Sequence, residues 1–383
     1  MRTATFFCFS LTLFLSFMAC KNASTSEKKD PSVSTPVSGG KNYFYKHLKG
    51  TIGTFPVTMD LVKIRNIYDD SPQLEGYYSY DKYQQPLSLY GFLDATGNVK
   101  LEESGHEGSS AIFQGKFDAH GSFSGTWTDT LKKVTYPFSL KETTEDGALS
   151  FDIFPFEDST KLFPNVKNSP QATYSMDVLL PAKNTEGSVF EFLRTQIIKQ
   201  LRHDSLTSNY VHLQVSDVQK TARDSFFKGY KEELKEEKPD TAENYSLNHA
   251  ENRSMEVISN ADGLLSLGFR AYNYSGGAHG NYGSQLMTYD VKNKKVVTLN
   301  DLFKPNYKAV LNAALLRSAR QYLGIKPNAS LEGHLFSKPE PNDNFMVNKR
   351  GILFNYVPYE IASFAQGEIQ LFVPFDELKT VLK

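Results

Sequence analysis

The chain has 383 residues, a formal net charge of −1, and 40% hydrophobic residues, including 28 Phe, 21 Tyr and one Trp. Its balanced charge gives no electrostatic case for nucleic acid as a partner, and its length is enough for two or three domains with apolar cores of their own. Both cysteines, Cys8 and Cys20, lie within the first 20 residues, so the rest of the chain has neither an internal disulfide nor a thiolate metal site.

Met1-Arg2 gives the N-terminus a positive start, and Phe6 to Met18 is an apolar run broken only by short side chains. The run falls short of the about 20 apolar residues that span a bilayer and has the form of a cleavable export signal over residues 1–19. Ala19-Cys20 at its end resembles the lipobox of bacterial lipoproteins, with Phe17 standing where Leu or Val is usual. That resemblance implies a lipid on Cys20, a mature chain starting there, and attachment to a membrane through the lipid alone. Secretion with an unmodified Cys20 is the other reading. Residues 20–41, rich in Ser, Thr, Lys, Pro and Gly, then read as a flexible tether. The expected location is the cell envelope, at the outer membrane of a Gram-negative bacterium.

Residues 42–143 read as all-β, a small meander, barrel or sandwich. Phe55, Val57, Met59 and Leu61 alternate with other positions at a period of two. Further strands are expected at Leu74–Tyr80, Leu87–Asp94, Lys100–Glu103, Ala111–Phe117, Ser122–Thr128 and Val134–Leu140. Turn signals such as Asp94-Ala-Thr-Gly97 and Ala119-His-Gly121 separate them. Trp127 is expected in the core. Residues 144–171, rich in Asp, Glu, Thr, Asn and Pro, read as a linker.

Residues 172–383 mix both periods. Tyr174–Leu180 is a strand candidate. Val189, Leu193, Ile197 and Leu201 recur every four residues, which predicts an amphipathic helix. Val218, Ala222, Phe226, Tyr230 and Leu234 predict a second, closed by the charged run Lys231–Lys238. Strands are expected at Ser254–Asn260, Leu264–Tyr274, Tyr282–Val291 and Val296–Leu299. A third helix follows around Val310, Leu311, Ala314 and Leu315, ended by Gly324 and Pro327. Strands at Phe345–Val347, Ile352–Tyr356 and Glu368–Val373 and a helix over Phe375–Leu382 complete the chain. Without regular βαβ alternation, this is α+β, with helices packed on an antiparallel sheet.

Three stretches carry a family resemblance: Tyr272-Asn-Tyr-Ser275-Gly276-Gly277-Ala-His279-Gly-Asn281, Thr298-Leu-Asn-Asp-Leu-Phe303, and Asn355-Tyr356-Val-Pro358-Tyr359-Glu360-Ile-Ala362 followed by Gly367-Glu-Ile369. Their order and spacing resemble the paired extracytoplasmic domains of unknown function in RsiV-type anti-sigma factors, which bind lysozyme, and in PdaC-type peptidoglycan deacetylases. The resemblance spans about residues 172–383 and leaves the β domain outside. It implies a cell-wall context, with a lysozyme-like enzyme or a peptidoglycan fragment as partner. No sigma-binding segment, later membrane span or following deacetylase domain is visible in the sequence, so neither of those activities is expected.

The candidate ligand-binding residues are Ser275, Gly276, Gly277, His279 and Asn281 in the first stretch, and Tyr356, Pro358, Tyr359 and Glu360 in the third. A glycine-rich turn exposes backbone N–H groups, His serves as acid or base, and tyrosines give a rigid contact surface. The same glycines also fit a tight hairpin, and the tyrosines also fit packing over the sheet. Ser275 and His279 pair a hydroxyl with a base, but no third group that orients the base is identifiable. No metal-ligand spacing, phosphate loop or dinucleotide fingerprint is present, so no cofactor is expected. The expected function is a non-enzymatic, lipid-anchored binding module. A cell-wall hydrolase using His279, or a structural envelope lipoprotein with protein partners, are the other readings. Oligomeric state is not legible.

Overall fold

The computed structural model describes residues 43–65, 72–104, 111–202, 213–239 and 245–383. The expected signal, Cys20 and the tether lie outside the described residues. The described residues fall in one compact unit that contains an all-β part and an α+β part.

The all-β part is a closed barrel of eight antiparallel strands in chain order: β1 (Phe44–Ile52), β2 (Phe55–Arg65), β3 (Pro72–Tyr80), β4 (Leu87–Leu93), β5 (Asn98–Ser104), β6 (Ala111–Phe117), β7 (Phe123–Asp129) and β8 (Val134–Glu142). It closes where β1 pairs with β8, Gly50 opposite Leu140. Closure leaves no strand edge open to a second chain. Rings fill the lumen: Phe113 lies 5.1 Å from Tyr78 and 5.3 Å from Phe138, and Phe123 lies 4.6 Å from Phe138. Trp127 belongs to the same core, as expected.

β1 is absent from the expected strands for a physical reason. Tyr45 and His47 point away from the lumen and are nevertheless buried, so the alternation that marks a half-exposed strand is lost. β2 behaves alike. Val57, Met59 and Leu61 face the lumen core, whereas Val62 and Ile64 join the core of the α+β part.

Residues 144–171 are not a linker. They hold β9 (Phe151–Phe154) and β10 (Glu157–Lys161), and Phe151 and Ile153 are buried in the α+β core. The expected strand at Tyr174–Leu180 is two strands, β11 (Gln171–Met176) and β12 (Val178–Pro181). β12 pairs with β9. Helices α1 (Gly187–Arg202) and α2 (Val215–Glu233) follow, then β13 (His249–Ala261), β14 (Leu264–Tyr274), β15 (Asn281–Asp290) and β16 (Lys295–Val296). The main sheet runs β10-β11-β13-β14-β15-β16, antiparallel except for β11 beside β13.

One sheet face carries Met255, Val257, Leu265 and Leu267, packed with Leu193, Ile197, Ile198 and Leu201 of α1. Each such fully buried side chain contributes about 1.5–3 kcal/mol. The other face meets a second sheet, β17 (Phe345–Val347), β18 (Gly351–Tyr356) and β19 (Ile369–Pro374). There Ile258 and Leu286 pack against Met346, Leu353 and Phe372, together with Tyr77 of the barrel. A one-turn helix, α3 (Leu299–Leu302), and α4 (Lys308–Tyr322) cover this second sheet. The expected C-terminal helix is a single 3-10 turn at Phe375–Glu377.

A buried polar network joins barrel to sheet. Tyr45 donates to Asp60 at 2.6 Å, and Asn260 of β13 donates to the Tyr45 hydroxyl at 2.8 Å. His47 lies between Asp60 (2.7 Å) and Asp146 (3.0 Å). Burial alone would lower the His47 pKa, but the two carboxylates outweigh it and raise it from 6.5 to about 9. A group raised on folding stabilises fully below its unfolded value and stops doing so above its folded one. This histidine therefore contributes on the order of 3 kcal/mol below pH 6.5, lost as the pH rises through 9. Urea midpoints measured between pH 6.5 and 9 are expected to fall more steeply for the native chain than for His47→Gln. Parallel profiles would remove His47 from this role.

Candidate functional site

The first two candidate groups are built by tight turns. β14 and β15 form a hairpin with Asn273 opposite Asn281. Gly276 and Gly277, both at φ +89°, turn the chain where a side chain would be strained. Ser275, His279 and Asn281 are exposed on this turn. The His279 ring donates through Nδ1–H to the Gly280 carbonyl, 3.0 Å away, because a carbonyl oxygen only accepts. Among the described residues no hydrogen bond joins Ser275 to His279.

The second group sits on the loop after β18. The Glu360 N–H donates to the Val357 carbonyl at 3.0 Å, closing a four-residue turn with Pro358 in its second position. The third position is Tyr359, at φ +71°. Such turns place Gly or Asn there, and an L side chain costs on the order of 1 kcal/mol or more. Tyr359 is 56% exposed, so this conformation holds a large ring in solvent. Glu360 accepts from the Val357 N–H and from Asn342 Nδ2, both at 3.0 Å, and so fixes the turn. Tyr356 is not available as a contact. It is 1% exposed and its hydroxyl donates to the Glu340 carbonyl at 2.8 Å, because the last residue of β18 faces the core under α4.

Phe364 brings the two groups together. His279 stacks on its ring at 3.9 Å with 21° between planes, Tyr359 lies 5.7 Å away, and Tyr282 meets it edge-on at 5.5 Å. Beneath them Glu368 accepts from Ser284 Oγ at 2.9 Å, from Asn355 Nδ2 at 3.2 Å and from the Ser284 N–H. The hairpin and the loop are thus tied by a shared ring and a shared carboxylate.

This ring cluster edges a cleft of about 770 Å³ between the sheet and the outer wall of the barrel. Glu75, Tyr77 and Tyr90 line it from the barrel, and Glu256, Arg270 and Tyr272 from the sheet. Arg270 spans the divide, 2.7 Å from Glu75 and 2.9 Å from Glu256. Burial pushes the Glu256 carboxyl well above the usual carboxylate range, against the pull of Arg270.

Comparison with known proteins agrees with the sequence resemblance. Residues 183–282 match the model of the deacetylase PdaC, and residues 300–376 match that of DUF3298, a protein family of unknown function. The second half of this chain is similar to a PdaC domain followed by a DUF3298 domain. A DUF3298 family member from Bacteroides fragilis has a similar fold, with a TM-score of 0.55 at 22% identity, over 62% of this chain and 95% of that one. A DUF3298 family protein from Pseudomonas aeruginosa gives a TM-score of 0.44 at 18% identity, over 62% and 96%. None of the curated proteins compared with the chain matches it. The hairpin turn closes the PdaC-like segment, and the Tyr359 loop, Phe364 and Glu368 belong to the DUF3298-like segment. The ring cluster is therefore built where the two segments meet.

The Thr298–Phe303 stretch has a structural role. The Asp301 carboxylate accepts from the Thr298 N–H (2.9 Å) and hydroxyl (2.7 Å), opening α3, and Phe303 is buried. Phe364, Tyr282, Arg270, Glu256 and Glu75 were not among the sequence candidates. Tyr282 adjoins Asn281 and so was within reach of the motif, whereas the others meet only through tertiary packing. Phe364→Ala is expected to cost about 1–3 kcal/mol in chemical denaturation, from three lost ring contacts. It should also move the His279 ring resonances to positions typical of an unstacked imidazole. Unchanged His279 resonances would contradict the stacking.

Proposed function

We propose that this chain is a lipid-anchored envelope protein that binds a fragment of cell-wall glycan at the ring-lined mouth of the cleft, without catalysing a reaction. The observation that carries the reading is the convergence of two loops, about 80 residues apart in sequence, on Phe364, with the strained Tyr359 held out to solvent. Strain maintained at an exposed ring is a mark of a functional surface. The export signal and Cys20 support anchoring outside the cytoplasm, and the likeness to PdaC and DUF3298 supports a cell-envelope setting. A binding role is favoured over hydrolysis because the His279 ring is stacked on Phe364 and, among the described residues, no hydrogen bond joins it to Ser275 as a nucleophile.

The test is calorimetric titration of the chain from residue 21 onward with disaccharide muropeptides and with a panel of lysozymes. Saturable muropeptide binding is expected. Tyr359→Gly should weaken it at least about fivefold, close to 1 kcal/mol, while thermal stability stays level or rises as the turn strain is relieved. Full affinity in that variant would remove the loop from the site. Binding to a lysozyme alone would replace the glycan with a protein partner, and silence across the panel would end the proposal.

A further inference from the structure

The cleft does not stop at the edge of the sheet. A second hollow of about 560 Å³ lies beside β10 and β11, lined by Tyr43, Phe156, Glu157, Asp158 and Tyr174. Ser175, Asp177 and Asn252 line both hollows, so the two form one trough. It runs from the His279–Phe364 mouth, along the seam of barrel and sheet, to the β10 edge. Ser175 Oγ donates to Asn252 Oδ1 at 2.8 Å where the hollows join.

The shape favours an extended ligand over a compact one, because each hollow by itself has the size of a small-molecule site. The chemistry narrows it further. Carboxyl groups of Glu75, Asp177, Glu256, Glu368, Glu157 and Asp158 line the trough. Arg253, Arg270 and His279 are the basic residues of its walls. Arg270 is already held between Glu75 and Glu256, and Arg253 pairs with Glu251 at 2.7 Å. Even with Asp158 paired to Arg223 and the Glu256 carboxyl pushed up by burial, an anionic polymer would meet an excess of negative charge without an uncommitted arginine to offset it. Rings recur along the path: Phe364 and Tyr282 at the mouth, Tyr90, 41% exposed, on the barrel wall, and Phe156 with Tyr43 at the far end. Flat apolar faces flanked by hydrogen-bond acceptors suit a chain of pyranose rings, each with apolar faces and a rim of hydroxyl donors.

We propose that the trough is a composite groove for a linear glycan that carries no anionic groups. The barrel forms one of its walls. This rests on the reading of the mouth as a glycan site, where the uncharged saccharide of a muropeptide would sit with its charged peptide left in solvent, and extends it to a part of the chain that neither family model covers.

The experiment is titration of the same chain with N-acetylglucosamine dimer and hexamer, and with oligogalacturonate of matched length as the anionic counterpart. Affinity is expected to rise at least about tenfold from dimer to hexamer. Oligogalacturonate should bind at least about tenfold more weakly than the hexamer. Tyr90→Ala, on the outer barrel face, should weaken hexamer binding several-fold while leaving muropeptide binding at the mouth within about twofold. Equal affinity for dimer and hexamer, equal binding of oligogalacturonate, or an unaffected Tyr90→Ala would each overturn the trough. If the Tyr359→Gly effect on muropeptides survived, the proposed function would then stand without it. Silence of the oligomers with muropeptide binding intact would also overturn the trough, whereas silence of both ligand sets would overturn both readings.

Discussion

The arrangement depends on the buried contact that fixes the barrel to the sheet. Tyr45, His47 and Asp60 project from the outside of the barrel into a buried layer, and are satisfied by each other, by Asp146 and by Asn260. Buried polar groups left unpaired are expensive, so such a network tolerates few alternative geometries. Apolar contacts flank it, with Tyr45 packed 5.1 Å from Phe151 and Tyr77 set among Ile258, Leu286 and Phe372. Apolar packing supplies attraction in any orientation, whereas the polar network selects one. The cleft is the space left where that orientation carries the barrel wall past the end of the contact.

The same division of labour recurs at the mouth. Asn355, Ser284 and Glu368 tie the second sheet to β15, and this fixes where the loop after β18 leaves the sheet. The Val357–Glu360 turn then presents Tyr359 at a backbone angle that favours glycine. The energy for that conformation comes from the surrounding hydrogen bonds of Glu360 with Val357 and Asn342. A rigid aromatic surface loses little freedom on contact with a ligand, which would be the advantage of holding Tyr359 and Phe364 in this way if the mouth receives the proposed glycan.

Much of the fold was legible because its strands and helices obey simple periods. Leu264–Tyr274, Ala111–Phe117 and Phe345–Val347 coincide with the strands found, and α1 follows from Val189, Leu193, Ile197 and Leu201. The sequence failed where one surface served two cores. β1 and the β9 segment pack against both parts of the molecule, so Tyr45, His47, Phe151 and Ile153 are buried outside the expected pattern. At the site, the glycine turn and the Pro358-Tyr359 loop announced themselves through residue types that punctuate chains. Tyr356 looked equivalent to Tyr359, and only the direction of the last β18 residue separates the buried ring from the exposed one. Glu75, Glu256 and Arg270 gave no local signal, since what they share is a seam between two parts of the chain.

In the proposed reading, barrel and sheet act as one body whose seam would receive the glycan. Hydrogen-exchange mass spectrometry on the chain from residue 21, with and without saturating N-acetylglucosamine hexamer, addresses it most directly. Added protection is expected in four places: the 275–284 hairpin, the 357–368 loop, β3 and β4 of the barrel, and the β10–β11 edge. Protection confined to the sheet side, or found only on surfaces away from the seam, would contradict it.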